Sequence, residues 1–385
     1  MCERWFEGGL WRNQLAPDAS VLWPETLTRL VYHLVLALTE GVRAGLWPGK
    51  NTADYQQKGE MLTIRTLGLS ALLLCGSALG AMAEIKFALS TSQNATDPLA
   101  IAMEAAATRI EERSKGEIDV TVYPSSQLGS DNDVLEQIRN GAAVAVLVDA
   151  GRLAPFQKEL GILSAPYLVD EWTQYAAITD SEPYKAWVEE LASSAQLRLL
   201  NYNWFQGTRQ MFTKAPVTKP ADLAGVRVRT IDAPGWLATV NAMGATAVPM
   251  PWSEVYSGLQ LAAIDGAEAQ LTGAYGIKLH EVTGNLAFTN HVQLVTGLTT
   301  SEAWFKNLSP EHQTILVEEL ARAGDEASAA TVAKGEEVLA EMKAGGMVVN
   351  EVNPEEFKAL TASVYADLGL EEARAALQPF IDAAK

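Results

Sequence analysis

Residues 117–148 read EIDVTVYPSSQLGSDNDVLEQIRNGAAVAVLV, and this stretch decides the fold class. Residues 117–123 alternate polar and apolar side chains, which is typical of a half-buried strand. Residues 130–133 have the spacing of a helix capping box, and Asn140-Gly141 ends the predicted helix. Residues 143–148 are apolar throughout, as in a strand buried on both faces. Strand, helix and strand in this order predict a parallel-sheet α/β unit.

The alternation continues on both sides of this stretch. Asp97 followed by Pro98 has the pattern of an N-cap and a first helical residue, so a helix is expected from there to about residue 115. A helix is also expected over residues 172–192. Residues 197–270 then carry a second series of short apolar runs and helical segments, which predicts a second α/β lobe.

A long helical pattern follows near the C-terminus. It opens at Ser309-Pro310 and continues to about Ala344, before Gly345-Gly346, and one further helix is expected after it. A helix of this length exceeds the size of one lobe. The sequence thus predicts an α/β protein of two lobes, joined by short hinges and braced by one long helix.

Residues 61–83 read MLTIRTLGLSALLLCGSALGAMA and have the three parts of a secretory signal peptide. Arg65 supplies the basic start, residues 67–79 form an apolar stretch too short to span a bilayer, and residues 81–83 give the small-x-small cleavage signal. Cleavage would leave Glu84 as the first residue, and the mature chain is expected in the periplasm. Lipoprotein processing at Cys75 is an alternative, although Leu74 before it is bulky.

Residues 1–60 precede this signal and share no pattern with the chain that follows it. A signal peptide works from a free N-terminus, so we interpret residues 1–60 as an extension that arises from a wrongly chosen start codon. An alternative is that residues 27–46 form an amphipathic helix lying on a membrane.

Charge and cysteine content exclude several kinds of partner. The full chain has 29 Lys and Arg, 47 Asp and Glu, and a net charge of −18. Residues 84–385 keep this whole imbalance, because the first 83 residues hold equal numbers of acidic and basic residues. Such a chain repels nucleic acid and anionic membranes, so neither is expected as a partner. Cys2 and Cys75 both precede Glu84, which excludes thiolate metal sites in the mature part.

Familiar catalytic motifs are absent from the sequence. It contains no GxSxG, HExxH, GxxxxGK[ST] or GxGxxG pattern in the required context. His280, His291 and His312 are too scattered for a local metal signature. We therefore expect neither an enzyme nor a bound cofactor or metal.

Residues 201–270 carry the most specific motifs. They include GTR at 207–209, DLAGVRVR at 222–229 and EVYSGLQLAAIDG at 254–266, and upstream stand YPSSQLG at 123–129 and QIRNG at 137–141. In this order the motifs resemble the DctP-type solute-binding proteins of TRAP transporters, from about residue 85 to the C-terminus. The resemblance implies a two-lobed, type II-like periplasmic binding fold that carries a small, often carboxylated, solute to membrane subunits.

The resemblance also implies a set of ligand-binding residues. Arg229 stands at the position of the carboxylate clamp and Arg209 at that of a second cleft arginine. Trp252 stands where an aromatic side chain packs on the ligand, and Asp149 and Asn94 at cleft positions of the first lobe. The clamp is physically reasonable, because a guanidinium offers two parallel donors that match the two oxygens of a carboxylate.

One position departs from the family pattern. Ala269 stands where an amide commonly contacts the ligand, which puts a sialic-acid type of specificity in doubt. Gln270 or Tyr275 is expected to serve instead. Trp204 is a further candidate for the ligand wall, although buried aromatic residues are more often part of a core.

The predicted organisation follows from these assignments. We expect the first lobe to hold residues 84–206 and 295–334, and the second lobe residues 207–294 and 335–385. The expected function is capture of an organic or sugar acid by a monomeric protein that delivers it to TRAP membrane subunits. Two alternatives remain open at this stage: an exported enzyme acting on organic acids, and a binding subunit of another importer or sensor.

A chain that begins at Glu84 should fold and bind its solute as well as the full chain, because residues 1–83 contribute nothing to the α/β pattern. Circular dichroism and calorimetry on both chains measure this. Loss of folding or binding in the shorter chain alone would show that the first 83 residues belong to the mature protein.

Overall fold

The structure, a computed structural model, describes residues 84–385. The predicted signal peptide, its lipoprotein alternative and the interpretation of residues 1–60 lie outside the described residues. No helix within residues 84–385 is both long enough and apolar enough to cross a membrane.

Twelve strands form two six-stranded sheets in the described part of the chain. The strands are β1 (Ile85–Ser90), β2 (Ile118–Tyr123), β3 (Val144–Val148), β4 (Leu197–Leu199), β5 (Trp204–Thr208), β6 (Gln210–Thr213), β7 (Arg227–Thr230), β8 (Thr246–Pro249), β9 (Gly266–Ala269), β10 (Asn285–Ala287), β11 (Gln293–Ser301) and β12 (Val348–Asn350).

Thirteen α-helices of very different lengths accompany the strands in residues 84–385. They are α1 (Pro98–Arg113), α2 (Asp131–Arg139), α3 (Ala150–Leu153), α4 (Tyr175–Thr179), α5 (Glu182–Ala195), α6 (Pro234–Ala242), α7 (Val255–Gln260), α8 (Leu271–Gly276), α9 (Glu302–Lys306), α10 (Pro310–Ala344), α11 (Pro354–Thr361), α12 (Val364–Asp367) and α13 (Glu371–Ala383).

The first sheet has the order β2-β1-β3-β11-β4, with β5 paired to β11. The first three strands are parallel, as the sequence predicted. A hydrophobic cluster covers each face of this sheet, and the side chains of β3 enter the two clusters alternately. Val144 and Val146 pack in one cluster, and Ala145 and Leu147 pack in the other. Burial of both faces explains why this strand is apolar throughout.

Strand β11 joins this sheet antiparallel to β3, β4 and β5, so the predicted parallel unit is one part of a mixed sheet. This nine-residue strand was not predicted, since its threonines do not alternate with apolar residues. Two of their hydroxyls are satisfied inside the sheet: Thr300 Oγ1 donates to the Val144 carbonyl at 2.8 Å, and Thr296 Oγ1 donates to the Trp204 carbonyl at 2.9 Å.

The second sheet has the order β12-β10-β6-β9-β7-β8. Strands β8, β7 and β9 are parallel, and β6 pairs antiparallel with both β9 and β10. Two further clusters cover its faces, one around Phe212 and Leu259 and the other around Met211 and Val228. The two predicted α/β lobes therefore correspond to two sheets, each with its own core.

Helix α10 packs against both lobes, as its length predicted. Ser309 caps it by accepting a hydrogen bond from the His312 amide. Leu316 and Leu320 lie in a core cluster of the first sheet, whereas Met342, near the other end of the helix, lies in a cluster of the second sheet.

Two predicted helices differ from the structure. The helix expected over residues 172–192 is interrupted after Thr179, because the Ser181 side chain caps a new helix at the Tyr184 amide and Pro183 stands in its first turn. The single helix expected at the C-terminus is in fact α11, α12 and α13.

The C-terminal helices also differ in position from the prediction. Residues 335–385 were assigned to the second lobe, but Tyr365, Leu377 and Ile381 pack in a core cluster of the first sheet. The Tyr365 hydroxyl donates to the Pro166 carbonyl at 2.6 Å, which fixes the end of the chain there. The chain therefore crosses back between the sheets once more than the sequence indicated.

Two glycine-to-alanine substitutions should change stability in opposite directions. At Gly297 in β11 an added Cβ would overlap the backbone oxygen of Asn201, so Gly297→Ala should lower the free energy of unfolding by about 1–3 kcal/mol. At Gly335 in α10 an added Cβ meets no atom within 4 Å, so Gly335→Ala should raise it by about 0.5–1 kcal/mol. Denaturant unfolding followed by circular dichroism measures both. Equal shifts of the same sign would contradict this packing of β11.

Candidate functional site

A small inner cavity of about 30 Å³ lies between the two sheets. Its walls come from the carboxyl ends of β3, β7 and β9, from the loop after β1, and from the strands that cross between the sheets. The loops beyond the carboxyl ends of parallel strands are the usual place for ligands in α/β proteins. The lining residues are Ser92, Gln93, Asp131, Leu147, Asp149, Arg152, Gln206, Arg209, Arg229, Ile231, Trp252, Gln270, Leu294 and Thr296.

Arg229 is a buried cation without an acidic partner. Only 1% of the residue is exposed, because β7 is paired on both sides by β8 and β9. Its Nε donates to the Met250 carbonyl at 2.9 Å, and its Cζ lies 5.1 Å from the centre of the Trp252 ring. Within residues 84–385 its terminal nitrogens donate to no protein group, and no carboxylate lies within 4 Å. Burial lowers the pKa of Arg229 to about 9, so the guanidinium is still cationic at neutral pH.

Arg209, by contrast, is fully engaged by its own sheet. Its Nε donates to Glu268 Oε2 at 2.5 Å, one terminal nitrogen donates to the Gln270 side chain, and the other donates to the Glu268 carbonyl at 2.7 Å. Burial would raise the pKa of Glu268, but the Arg209 guanidinium outweighs it and lowers that pKa to about 2. Arg209 lines the cavity, yet most of its donors are already used.

Arg152 is a third arginine at the cavity, and sequence reasoning missed it. It forms ion pairs with Asp149 and, at 3.2 Å, with Asp131. Although burial opposes it, these two carboxylates raise the pKa of Arg152. The sequence pattern that could have revealed Arg152 is the Asp149-x-x-Arg152 spacing directly after a buried strand. Helix α3 has only four residues, however, so in the sequence this segment resembles an exposed loop.

Asp149 connects the two lobes. Its Oδ1 accepts a hydrogen bond of 2.7 Å from Trp236 Nε1, and Trp236 lies on α6, which packs against β7 and β8 of the second sheet. Asp149 belongs to the end of β3 in the first sheet. Both side chains are buried, so this bond closes one side of the cavity.

Five of the eight predicted site residues line the cavity: Arg229, Arg209, Trp252, Asp149 and Gln270. The Gln270 side chain contacts Arg209, another predicted site residue. Its oxygen accepts a hydrogen bond from Arg209, and its amide nitrogen donates to Gln206 at 3.3 Å. The family departure at Ala269 therefore leaves an amide at the cavity, one residue later in the chain.

The structure places the other three predicted residues elsewhere. Trp204 is fully buried in a core cluster of the first sheet, where Nε1 donates to the Asn201 side chain at 3.0 Å. Tyr275 stacks on His280 at 5.2 Å, away from the cavity, because its position on α8 turns it toward α10. Asn94 accepts from the Thr96 amide at 2.9 Å and shapes the turn before α1.

Several cavity residues carried no usable signal in the sequence. Gln93, in the loop after β1, and Gln206, in β5, approach each other although they are 113 positions apart, with 3.5 Å between an amide nitrogen and an oxygen. Asp131 is the first residue of α2 and resembles an ordinary charged helix start. His291 lies behind Glu268, with 3.6 Å between Nε2 and Oε2, and burial lowers its pKa.

Neither a metal cluster nor an unengaged catalytic pair is present in the described residues. No group of three or more His, Cys, Asp or Glu side chains there could hold a metal ion. The carboxylates at or behind the cavity are held by arginines: Glu268 by Arg209, and Asp131 and Asp149 by Arg152. The arrangement can hold an anion at Arg229.

Comparison with known proteins agrees with this geometry. The family model described as bacterial extracellular solute-binding protein, family 7 (DctP), matches residues 89–371. The sialic acid-binding periplasmic protein SiaP of Vibrio cholerae is 27% identical over 308 residues, which are 80% of this chain and 95% of that protein.

Two solved structures extend the comparison to the fold. A TRAP periplasmic solute-binding protein of Escherichia fergusonii, in an apo open form, is 38% identical with a TM-score of 0.68, covering 77% of this chain and 99% of that one. A TRAP periplasmic solute-binding protein of Actinobacillus succinogenes with bound L-galactonate is 31% identical with a TM-score of 0.75 and the same coverage. On its family match, its two-lobed fold and its cavity between the lobes, this chain belongs to the DctP family of TRAP periplasmic solute-binding proteins.

Proposed function

We propose that this chain captures a sugar acid in the inner cavity, by its carboxylate, and delivers it to the membrane subunits of a TRAP transporter. The relative that binds L-galactonate supports an acid of this class, and the name of SiaP also specifies an acid. The predicted signal peptide at residues 61–83 supports export to the periplasm, where such a protein would meet its solute.

The observation that carries this proposal is the unpaired charge of Arg229. Three arginines line the cavity, and Arg209 and Arg152 each have a carboxylate partner within the protein. Among the residues that the structure describes Arg229 has none, although only 1% of it is exposed. An isolated buried charge is costly, and an anionic ligand that supplies two hydrogen bonds removes that cost. Met250 and Trp252 hold the guanidinium in place before the ligand arrives.

The hypothesis of a binding protein fits the cavity better than the hypothesis of an enzyme. An enzyme acting on an organic acid needs a base that is free to take a proton near the bound carboxylate. Asp149 is held by Arg152 and Trp236, and Glu268 by Arg209 and by Thr230, whose Oγ1 donates at 2.9 Å. These contacts occupy both carboxylates, and the Arg209 guanidinium keeps the pKa of Glu268 low.

We further propose that the two lobes close around the solute. The first lobe would comprise residues 84–206, 295–334 and 364–385, and the second residues 207–294 and 335–363. The hydrogen bond between Asp149 and Trp236 joins the lobes in this structure. The fold of this chain is more similar to the galactonate-bound structure (TM-score 0.75) than to the apo open structure (TM-score 0.68), although the sequence identity to the bound relative is lower. This difference supports a closed arrangement of the lobes.

Arg229→Ala should weaken binding of L-galactonate by roughly thirty-fold to several thousand-fold. The ligand carboxylate would be buried without its bidentate partner, a loss of about 2–5 kcal/mol. Arg229→Lys should recover only part of the affinity, because one ammonium cannot reproduce two parallel hydrogen bonds. Calorimetry on folded variants measures each affinity.

Two matched substitutions control for loss of any arginine. Arg227 lies on the same strand, is partly exposed and pairs with Asp265 at 2.8 Å, so Arg227→Ala should change the affinity less than about threefold. Arg209→Ala should instead destabilise the ligand-free fold, by about 3–5 kcal/mol, because Glu268 would be left buried and unpaired. Normal binding by Arg229→Ala would place the carboxylate site elsewhere.

Closure should be visible in solution. Small-angle scattering of the wild-type protein should show a smaller radius of gyration after L-galactonate is added to saturation, because contacts from both lobes favour the closed state. The Arg229→Ala variant at the same ligand concentration should not shrink. An unchanged radius at proven saturation of the wild type would contradict the hinged mechanism.

A further inference from the structure

A second, outer cavity of about 280 Å³ adjoins the inner one. The two cavities share Ser92, Asp131, Arg152 and Trp252 in their walls. Arg229 lines only the inner cavity. A ligand whose carboxylate reaches Arg229 would therefore extend its other end past these shared residues into the outer cavity.

The outer cavity is acidic. Asp131, Asp133 and Asp232 line it, and Arg152 is its one basic residue. Arg152 is already shared between Asp131 and Asp149, so it has little attraction left for a further anion. The cavity thus has the opposite sign to the Arg229 end of the inner one.

Neutral polar groups make up much of the remaining wall. The side chains of Ser92, Ser126, Ser130 and Asn132 line the outer cavity. The Ser130 hydroxyl is engaged in the cap of α2, and the Asn132 amide donates to the Asp232 carbonyl at 3.5 Å. The Ser92 and Ser126 hydroxyls stand where a ligand with several hydroxyl groups could exchange hydrogen bonds with them.

An independent observation also points to a polar ligand. Three buried polar atoms at the cavity walls have no hydrogen-bond partner within the described residues: Trp252 Nε1, Arg152 Nε and Gln93 Oε1. Trp252 is 7% exposed and Gln93 5% exposed, so water reaches them poorly. Two of these atoms are donors and one is an acceptor, and a hydroxyl group can satisfy either kind.

We propose that Asp131 and the acidic outer cavity select a monocarboxylate with a hydroxylated tail and reject an acid that has a second carboxylate at its far end. This rests on the proposed function, because it takes Arg229 as the position of the first carboxylate. A second carboxylate would be placed beside Asp131 in a site with little water, where like charges repel strongly. A terminal hydroxyl would instead donate to that carboxylate.

An ammonium tail is less suitable than a hydroxyl tail. Asp131 already has Arg152 as a cationic partner at 3.2 Å, so a second cation there would be repelled by Arg152 as well as attracted by Asp131. The unpartnered donors Trp252 Nε1 and Arg152 Nε also require an acceptor, which an ammonium group cannot provide.

The test compares two pairs of acids that differ only at the far carbon: L-galactonate with galactarate, and D-gluconate with D-glucarate. Calorimetry with the wild-type protein should show tighter binding of at least one monocarboxylate than of its dicarboxylate partner, by about tenfold or more. The probe 6-aminohexanoate, which carries an ammonium at the far end, should bind more weakly than that monocarboxylate.

Asp131→Asn should reduce the preference for the monocarboxylate over its dicarboxylate partner, because the substitution removes the repelling charge and keeps the shape of the side chain. Asp180→Asn, at an exposed residue that lines neither cavity, is the matched control and should change the preference little. If Asp131→Asn does not fold, the comparison of the acids with the wild-type protein decides by itself.

Equal or tighter binding of the dicarboxylates, or tighter binding of 6-aminohexanoate, would overturn this inference and leave the proposed function intact. Failure of all the acids to bind would overturn both.

Discussion

The candidate site depends on one buried charge, the Arg229 guanidinium between the two lobes, which has no acidic partner among the described residues. Burial without an anion is unfavourable, and the surrounding contacts reduce the cost without removing it. The Met250 carbonyl takes one hydrogen bond, the Trp252 ring faces the cation at 5.1 Å, and the terminal nitrogens remain for a ligand. In the proposed function, affinity for a carboxylate follows from this incomplete solvation, because the ligand would supply the hydrogen bonds that the protein does not.

The other charges at the cavity show how this incompleteness is confined to one residue. Arg209 and Glu268 neutralise each other inside the second sheet, and Arg152 forms ion pairs with both Asp131 and Asp149 in the first. Each of these side chains is held by its partner before a ligand enters. Side chains that are already held lose little conformational entropy on binding, which leaves more of the interaction energy for affinity.

Backbone topology brings these groups together. Strands β3 and β7 end on the same side of the space between their sheets, so Asp149 and Arg229 face one cavity although 79 residues separate them in the chain. The crossing strands β5 and β11 and the long helix α10 connect the sheets, and Trp236 reaches from one lobe to Asp149 in the other. Few segments cross, which is the arrangement that permits a hinge motion.

The sequence by itself determined the α/β class, the two lobes and the helix caps at Asp97, Ser130 and Ser309. These features depend on local spacing, which side-chain periodicity and turn chemistry encode directly. Tertiary structure alone decided the antiparallel entry of β11, the return of the C-terminal helices to the first lobe, and the burial of Trp204 in a core. It also decided which arginines are paired, because the partners Glu268 and Asp131 come from distant segments and no local pattern records a contact made only after the sheets have formed.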